Sequence, residues 1–193
     1  MKNIAVLVSG GGTNLQALID AERSGVITSG KITLVLSNKE GAYALTRAQN
    51  AGIKARAVVE KDPDLLCEKL LAELEKEKID VVVLAGFLAI LTPEFVRAYE
   101  RRVINIHPAL LPKYGGKGYY GLHVHRAVLA AGEKVSGATV HFVTAGVDQG
   151  EIIAQKEVAV LEGDTPESLQ QRIMEEAEWI LLPRATEELC QSL

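Results

Sequence analysis

Ile4-Ala5-Val6-Leu7-Val8-Ser9-Gly10-Gly11-Gly12-Thr13-Asn14-Leu15 is the stretch that decides the fold. Ile4 to Val8 is apolar without interruption, the pattern of a strand covered on both faces. The run stops at consecutive glycines. From Leu15 onward the apolar positions change to a helical spacing, with Leu18 and Ile19. Strand, glycine loop and helix in this order open a βαβ unit. Glycines let the backbone approach a ligand closely, and a helix N-terminus favours an anion. The stretch reads either as a phosphate cradle, with Thr13 and Asn14 as further donors, or as a plain tight βα turn. A dinucleotide fingerprint would need a glycine where Leu15 stands and an acid after the second strand. That strand, Ile32 to Leu36, ends in Ser37-Asn38, and no Gly-Lys-Ser/Thr follows the glycines. A monophosphate therefore fits better than NAD or ATP.

The alternation continues outward. Ala42 to Ala51 reads as a helix closed by Gly52, and Ala55 to Val59 as a strand. Asp62-Pro63 starts a helix whose buried face is Leu66, Leu70 and Leu74. Val81 to Leu84 is another buried strand, followed by the apolar but glycine-broken Ala85-Gly86-Phe87-Leu88-Ala89-Ile90-Leu91. This loop either lines a pocket for a flat ring or packs in the core. Thr92-Pro93-Glu94 opens a helix. Strand alternating with helix predicts an α/β, Rossmann-like fold, with a mostly parallel central sheet and helices on both faces.

Arg102-Val-Ile-Asn-Ile-His-Pro-Ala-Leu-Leu-Pro-Lys-Tyr114 carries the chemistry. Val103, Ile104 and Ile106 make a strand. Asn105 and His107, two apart, share one face of it, and Pro108 keeps His107 extended. In parallel sheets ligands bind beyond the carboxyl ends of the strands, where the glycine loop, the apolar loop and this pair all fall. Beyond Tyr114, Gly115 to Gly121 forms a flexible loop, and Leu122 to Ala131 a helix bearing His123 and His125 in surface or structural roles. Ala138 to Val143 alternates as a strand in which His141 reads as structural. Ile152 to Leu161 follows as its hairpin partner, across a loop, Thr144 to Gly150, that holds Asp148. Thr165-Pro166 starts one long final helix with Leu169, Ile173, Ala177, Ile180 and Leu181 as its core stripe, Glu178 beside that stripe and Trp179 packing. A carboxylate near an imidazole raises its pKa and orients it. An amide beside it can stabilise an oxyanion. Asn105, His107 and Asp148 together suit acyl transfer to an amine, with no nucleophile elbow and no metal motif.

Bulk properties set limits. The 193 residues, 48% hydrophobic and 24% charged, fit one globular domain spanning residues 1–193. A net charge of −4 leaves no basic footprint for nucleic acid. Two cysteines, Cys67 and Cys190, indicate no disulfide framework. No stretch reaches the roughly 18 apolar residues of a membrane span. A cytoplasmic protein, monomeric or weakly dimeric, is expected.

Asn105-Ile106-His107-Pro108-Ala109-Leu110-Leu111-Pro112 resembles the signature of the folate-dependent formyltransferases. Ser9 to Leu15, Leu84 to Phe87, Gly137 to Val143 and Asp148-Gln149-Gly150 resemble the same family, over essentially the whole chain. The likeness is to its branch acting on 5′-phosphoribosylglycinamide in purine synthesis, with 10-formyltetrahydrofolate as cosubstrate and no metal. It implies direct attack by the amine, with Asn105 at the oxyanion, His107 moving the proton and Asp148 supporting His107. It assigns the substrate phosphate to Gly12, Thr13 and Asn14, the glycinamide to Glu178, and the folate to Leu88, Ala89, Ile90, Leu91, Asn105 and the loop Thr144, Ala145, Gly146, Val147 and Asp148. It also implies a cis bond before Pro112. The loop Gly115 to Gly121 is longer than the family's usual turn, and Ala89 stands where the family often has an arginine. Formyltetrahydrofolate hydrolases and methionyl-tRNA formyltransferases share the domain but carry further domains, for which this length leaves no room. A non-catalytic folate- or nucleotide-binding module is the other alternative.

Overall fold

A computed structural model describes residues 1–193. Seven strands form one sheet in the order β3-β2-β1-β4-β5-β6-β7. They are β1 (Lys2–Val8), β2 (Gly30–Ser37), β3 (Lys54–Ala57), β4 (Val81–Leu84), β5 (Val103–His107), β6 (Val135–Phe142) and β7 (Ile152–Ala159). The first five are mutually parallel, while β6 pairs antiparallel with both β5 and β7. The α/β sheet and its C-terminal hairpin are as expected. The strand limits shift a little: β3 ends at Ala57, so Val58 and Val59 lie outside it, and β6 begins earlier, at Val135.

The apolar run of β1 is buried on both faces. Ile4, Val6 and Val8 join one core with Leu15, Leu18 and Ile19 of helix α1 (Thr13–Ser24). Ala5 and Leu7 join the other core with Leu66, Leu70 and Leu74 of α3 (Pro63–Lys76). Helices α2 (Tyr43–Asn50) and α4 (Pro93–Ala98) complete the parallel crossovers, and α5 (Leu122–Ala130) lies in the connection between the antiparallel β5 and β6. Three helix starts follow the cap-then-proline reading. Asp62 accepts from the Asp64 and Leu65 amides, Thr92 from Phe95, and Thr165 from Ser168 in a reciprocal capping box. Each cap is worth about 1 kcal/mol.

The final helix differs from expectation. It is α6 (Pro166–Ile173), a π-helical turn (Met174–Glu178) and α7 (Trp179–Ser192). A π turn inserts one extra residue, so the core stripe changes phase. Leu169, Ile173 and Ala177 are followed in the core by Leu182, Ala185 and Leu189, while Ile180 and Leu181 are only half-buried. The same extra residue turns Glu178 inward, where it is 6% exposed.

Gly12 caps α1 at φ 78°, a left-handed conformation, and a Cβ there would lie 2.6 Å from the Ala44 Cβ of α2. Gly12→Ala is therefore expected to cost about 1–3 kcal/mol, the combined effect of strain and clash. Urea denaturation measures it, and an unchanged midpoint would contradict the close packing of α2 on this loop.

Candidate active site

The strand order reverses at β1, which has β2 on one side and β4 on the other. Such a switch point opens a crevice at the carboxyl ends of the strands. Ser9, at the end of β1, ties the surrounding loops together. Its N–H donates to the Gly86 carbonyl at 3.1 Å, its Oγ donates to Asn38 Oδ1 at 2.6 Å, and it accepts from the Leu88 N–H at 2.9 Å. A cleft of about 440 Å³ lies against these loops, and Asn14, Leu88, Ala89, Ile90, Asn105, His107, Val147, Asp148 and Glu178 all line it.

One wall holds the polar cluster. His107 is 4% exposed. Its Nε2 lies 2.7 Å from the Tyr114 carbonyl, which can only accept, so Nε2 carries the hydrogen. Tyr114 sits at φ 55°, a left-handed backbone that turns this carbonyl onto the ring. The other nitrogen, Nδ1, is then the one that titrates, and Asp148 Oδ2 stands 3.6 Å from it. Asp148 also has φ 55°, a conformation that costs a non-glycine residue about 1 kcal/mol or more. The Gly116 N–H fastens its Oδ2 at 2.9 Å. Burial pushes His107 below the usual imidazole value, against the pull of the Asp148 charge and the Tyr114 carbonyl. Burial pushes Asp148 up, but the polar groups around it, the Gly116 N–H among them, outweigh it and leave the carboxyl below its ordinary value.

The α1 and π-turn wall holds a second group. Asn14 Nδ2 donates to Glu178 Oε2 at 2.8 Å. Burial raises the Glu178 carboxyl to about 7, with only Asn14 opposing. Asn14 Oδ1 is itself buried and has no partner within the protein. Both groups therefore keep unused acceptor capacity facing the cleft.

Not every residue assigned from the sequence reaches the cleft. Thr13 is exposed, with its Oγ1 3.6 Å from Met174 Sδ. It lines a neighbouring hollow of about 570 Å³ between α1 and α7. Leu88 and Ile90 present apolar surface, at 51% and 59% exposure, whereas Leu91 turns into the core. Of the loop after β6, only Val147 and Asp148 line the cleft, with Thr144, Ala145 and Gly146 set outside it. The Leu111–Pro112 bond is cis. No group of three or more His, Cys, Asp or Glu is placed to hold a metal ion.

Two histidines go beyond their sequence reading. His125 is fully buried, lines the cleft, and has no partner on either ring nitrogen. Burial and the nearby His107 push it down to about 4. His141 is 3% exposed, with Nε2 3.6 Å from Asp148 Oδ1 and 3.1 Å from Asn105 Nδ2. The only local signal for His141 is its place on the face of β6 opposite Val140. That face gains meaning once β6 is known to pair with β5.

The sequence profile described as formyl transferase matches residues 2–186. The chain belongs to the formyl transferase family. Among relatives in that family it is 44% identical over 174 residues to the phosphoribosylglycinamide formyltransferase of Escherichia coli strain K12, covering 89% of this chain and 79% of that protein. It is 46% identical over 188 residues to the trifunctional purine biosynthetic protein adenosine-3 of Drosophila melanogaster, covering 95% of this chain but only 14% of that protein's length. The crystal structure of glycinamide ribonucleotide transformylase 1 from Symbiobacterium toebii superposes with a TM-score of 0.93 at 40% identity, covering 100% of this chain and 89% of that one.

Proposed function

We propose that residues 1–193 form one formyltransferase domain, which moves the formyl group of 10-formyltetrahydrofolate to the amine of 5′-phosphoribosylglycinamide in purine synthesis. The observation that carries this reading is the convergence of Asn105, His107 and Asp148 on one wall of a cleft whose other side offers Asn14 and Glu178. The flat pterin lies along Leu88, Ala89 and Ile90, where exposed apolar surface and main-chain groups meet. The ribonucleotide phosphate takes the amides of Gly12, Thr13 and Asn14 at the start of α1. Glu178 and the unpartnered Asn14 oxygen accept from the N–H and hydroxyl groups of the glycinamide riboside.

The amine nitrogen attacks the formyl carbon, and the carbonyl electron pair moves onto oxygen. An N–H of Asn105 stabilises that oxyanion. Donors of this kind are worth about 2.7–4 kcal/mol elsewhere. His107, neutral and bearing its lone pair on Nδ1, takes the proton that the amine sheds, and Asp148 stabilises the imidazolium formed. Collapse of the intermediate breaks the bond to N10 of the folate, which as it leaves receives from the His107 imidazolium the proton taken from the amine, so that the imidazole is again neutral. The products are the formylated glycinamide and tetrahydrofolate.

Because His107 must be neutral to accept, kcat/KM is expected to fall on the acid side, with its midpoint below the ordinary imidazole value near 6.5. The folded pKa is lowered, so His107 also withdraws stability as pH drops below 6.5, where the unfolded chain binds the extra proton. Purified protein mixed with 10-formyltetrahydrofolate, with and without the ribonucleotide, tests the reaction. Turnover that requires the ribonucleotide supports it. Formate release at the same rate without it indicates a hydrolase, and no turnover indicates a binding module.

A further inference from the structure

The antiparallel pairing of β5 with β6 sets Asn105 directly opposite His141. His141 Nδ1 lies 2.9 Å from the carbonyl of Phe142, an acceptor only. Nδ1 therefore carries the hydrogen and the Nε2 lone pair is free. Asn105 Nδ2 is 3.1 Å from that lone pair, so the amide donates one of its hydrogens there. Turned over, the amide would set the lone pairs of Oδ1 against the lone pair of Nε2. The opposite tautomer of His141 would set a second lone pair against the Phe142 carbonyl, and its gain, Asp148 Oδ1 at 3.6 Å, is beyond hydrogen-bond range. His141 is the only side chain or main-chain group that hydrogen-bonds the Asn105 side chain. A planar amide with one hydrogen held has its second hydrogen aimed in a fixed direction, and here that hydrogen has no partner within the protein.

We propose that His141 is a positioning residue that orients the Asn105 amide so that its free N–H, and not its carbonyl oxygen, meets the developing oxyanion. It acts through Asn105 and does not touch substrate. The orientation stands on the hydrogen-bond pattern alone, and only its catalytic consequence rests on the reaction proposed above. An amide turned over would present Oδ1, a second electronegative atom, where negative charge develops. Substrate binding is largely indifferent to this, because the ground-state formyl oxygen bears little charge. The loss therefore falls on kcat.

Two variants separate orientation from bulk structure. His141→Asn keeps an amide near the Phe142 carbonyl but is too short to reach Asn105. His141→Gln places an oxygen near the position of Nε2. His141→Asn is expected to lower kcat on the order of 10- to 100-fold with both KM values within about twofold, the scale of losing part of an oxyanion donor, and His141→Gln to recover most of that loss. In an Asn105→Ala background, His141→Asn is expected to cost less than about twofold more, since residues acting as a unit are not additive. In the ligand-free protein, the two side-chain amide protons of Asn105 should be well separated in 15N-resolved NMR spectra, and the separation should shrink in His141→Asn. The proposal is overturned if Asn and Gln variants behave alike, if the loss persists undiminished with Asn105→Ala, or if the amide signals do not respond. If the NMR response appears but the wild-type chain transfers no formyl group, the orientation stands and the proposed reaction fails.

Discussion

Asp148→Asn is expected to lower kcat on the order of 10³-fold, with KM for both substrates within a few-fold, as for a carboxylate that orients and charge-balances a proton-transferring histidine. The substitution is close to isosteric, and an asparagine is also tolerated at φ 55°. Its amide oxygen can still accept from the Gly116 N–H, so the loop beyond Tyr114 keeps its anchor. The loss acts on His107 instead. The negative charge that balances an imidazolium disappears, because the atom facing Nδ1 is the same Oδ2 that the neutral amide oxygen replaces. The change lowers the basicity of His107, so the acid limb of the kcat/KM profile should move to lower pH than in the wild type. Steady-state kinetics across pH checks each part. A near-normal kcat would remove Asp148 from the mechanism, and an acid limb moved upward would contradict the assignment of Nδ1 as the titrating atom.

Glu178→Gln should do opposite things to stability and function. The folded-state carboxyl of Glu178 is raised from 4.5 to about 7 by burial. Below pH 4.5 both folded and unfolded chains are protonated there, and burial of the charge costs nothing. Between those values the folded state binds the extra proton, so stability falls as pH rises, and above 7 the full penalty is present. At about 1.4 kcal/mol for each pKa unit, the variant is expected to gain on the order of 3 kcal/mol at pH 8 and to match the wild type at pH 4. Urea midpoints at the two pH values measure this. On the proposed binding of the glycinamide riboside, the same variant is expected to raise KM for the ribonucleotide about 10-fold or more, because the accepting carboxylate would become an amide that must also place its own N–H hydrogens. An equal stability at pH 8 would show that Glu178 is solvated and not buried among apolar neighbours. A gain in stability with unchanged KM would remove it from substrate binding. Retaining a costly buried acid makes sense where function requires it.

Both residues mark how far the sequence reaches. Asp148 was legible as the single acid in the loop after β6, and Asn105 and His107 as a pair on one strand face, because a period of two is a local property. Glu178 was legible only as a neighbour of the core stripe. The π turn that swings it into the cleft, and that moves the later stripe to Leu182, Ala185 and Leu189, leaves no periodic trace before the helix is packed against the sheet. Leu88, Ala89 and Ile90 of the apolar loop line the cleft, but Leu91, one residue on, belongs to the core. A run of apolar residues does not state which of them turns inward.

His141 and His125 show the same boundary. Each lies in an element whose own pattern is satisfied by a structural histidine. Their place at the cleft depends on contacts made across the fold. For His141 it is the register that sets Asn105 against it, and for His125 the burial of the start of α5 under the cleft.

The apolar run into the glycine loop, the alternation of strands with helices and the shared face of Asn105 and His107 were determined by the sequence alone, since each follows from periods and steric limits acting within a few residues. The tertiary structure decided the antiparallel register of β6, the π turn at Glu178 and the meeting of His107, His141 and Asp148. Those depend on which surfaces bury each other, and residues far apart in the chain acquire a common environment only when the sheet assembles.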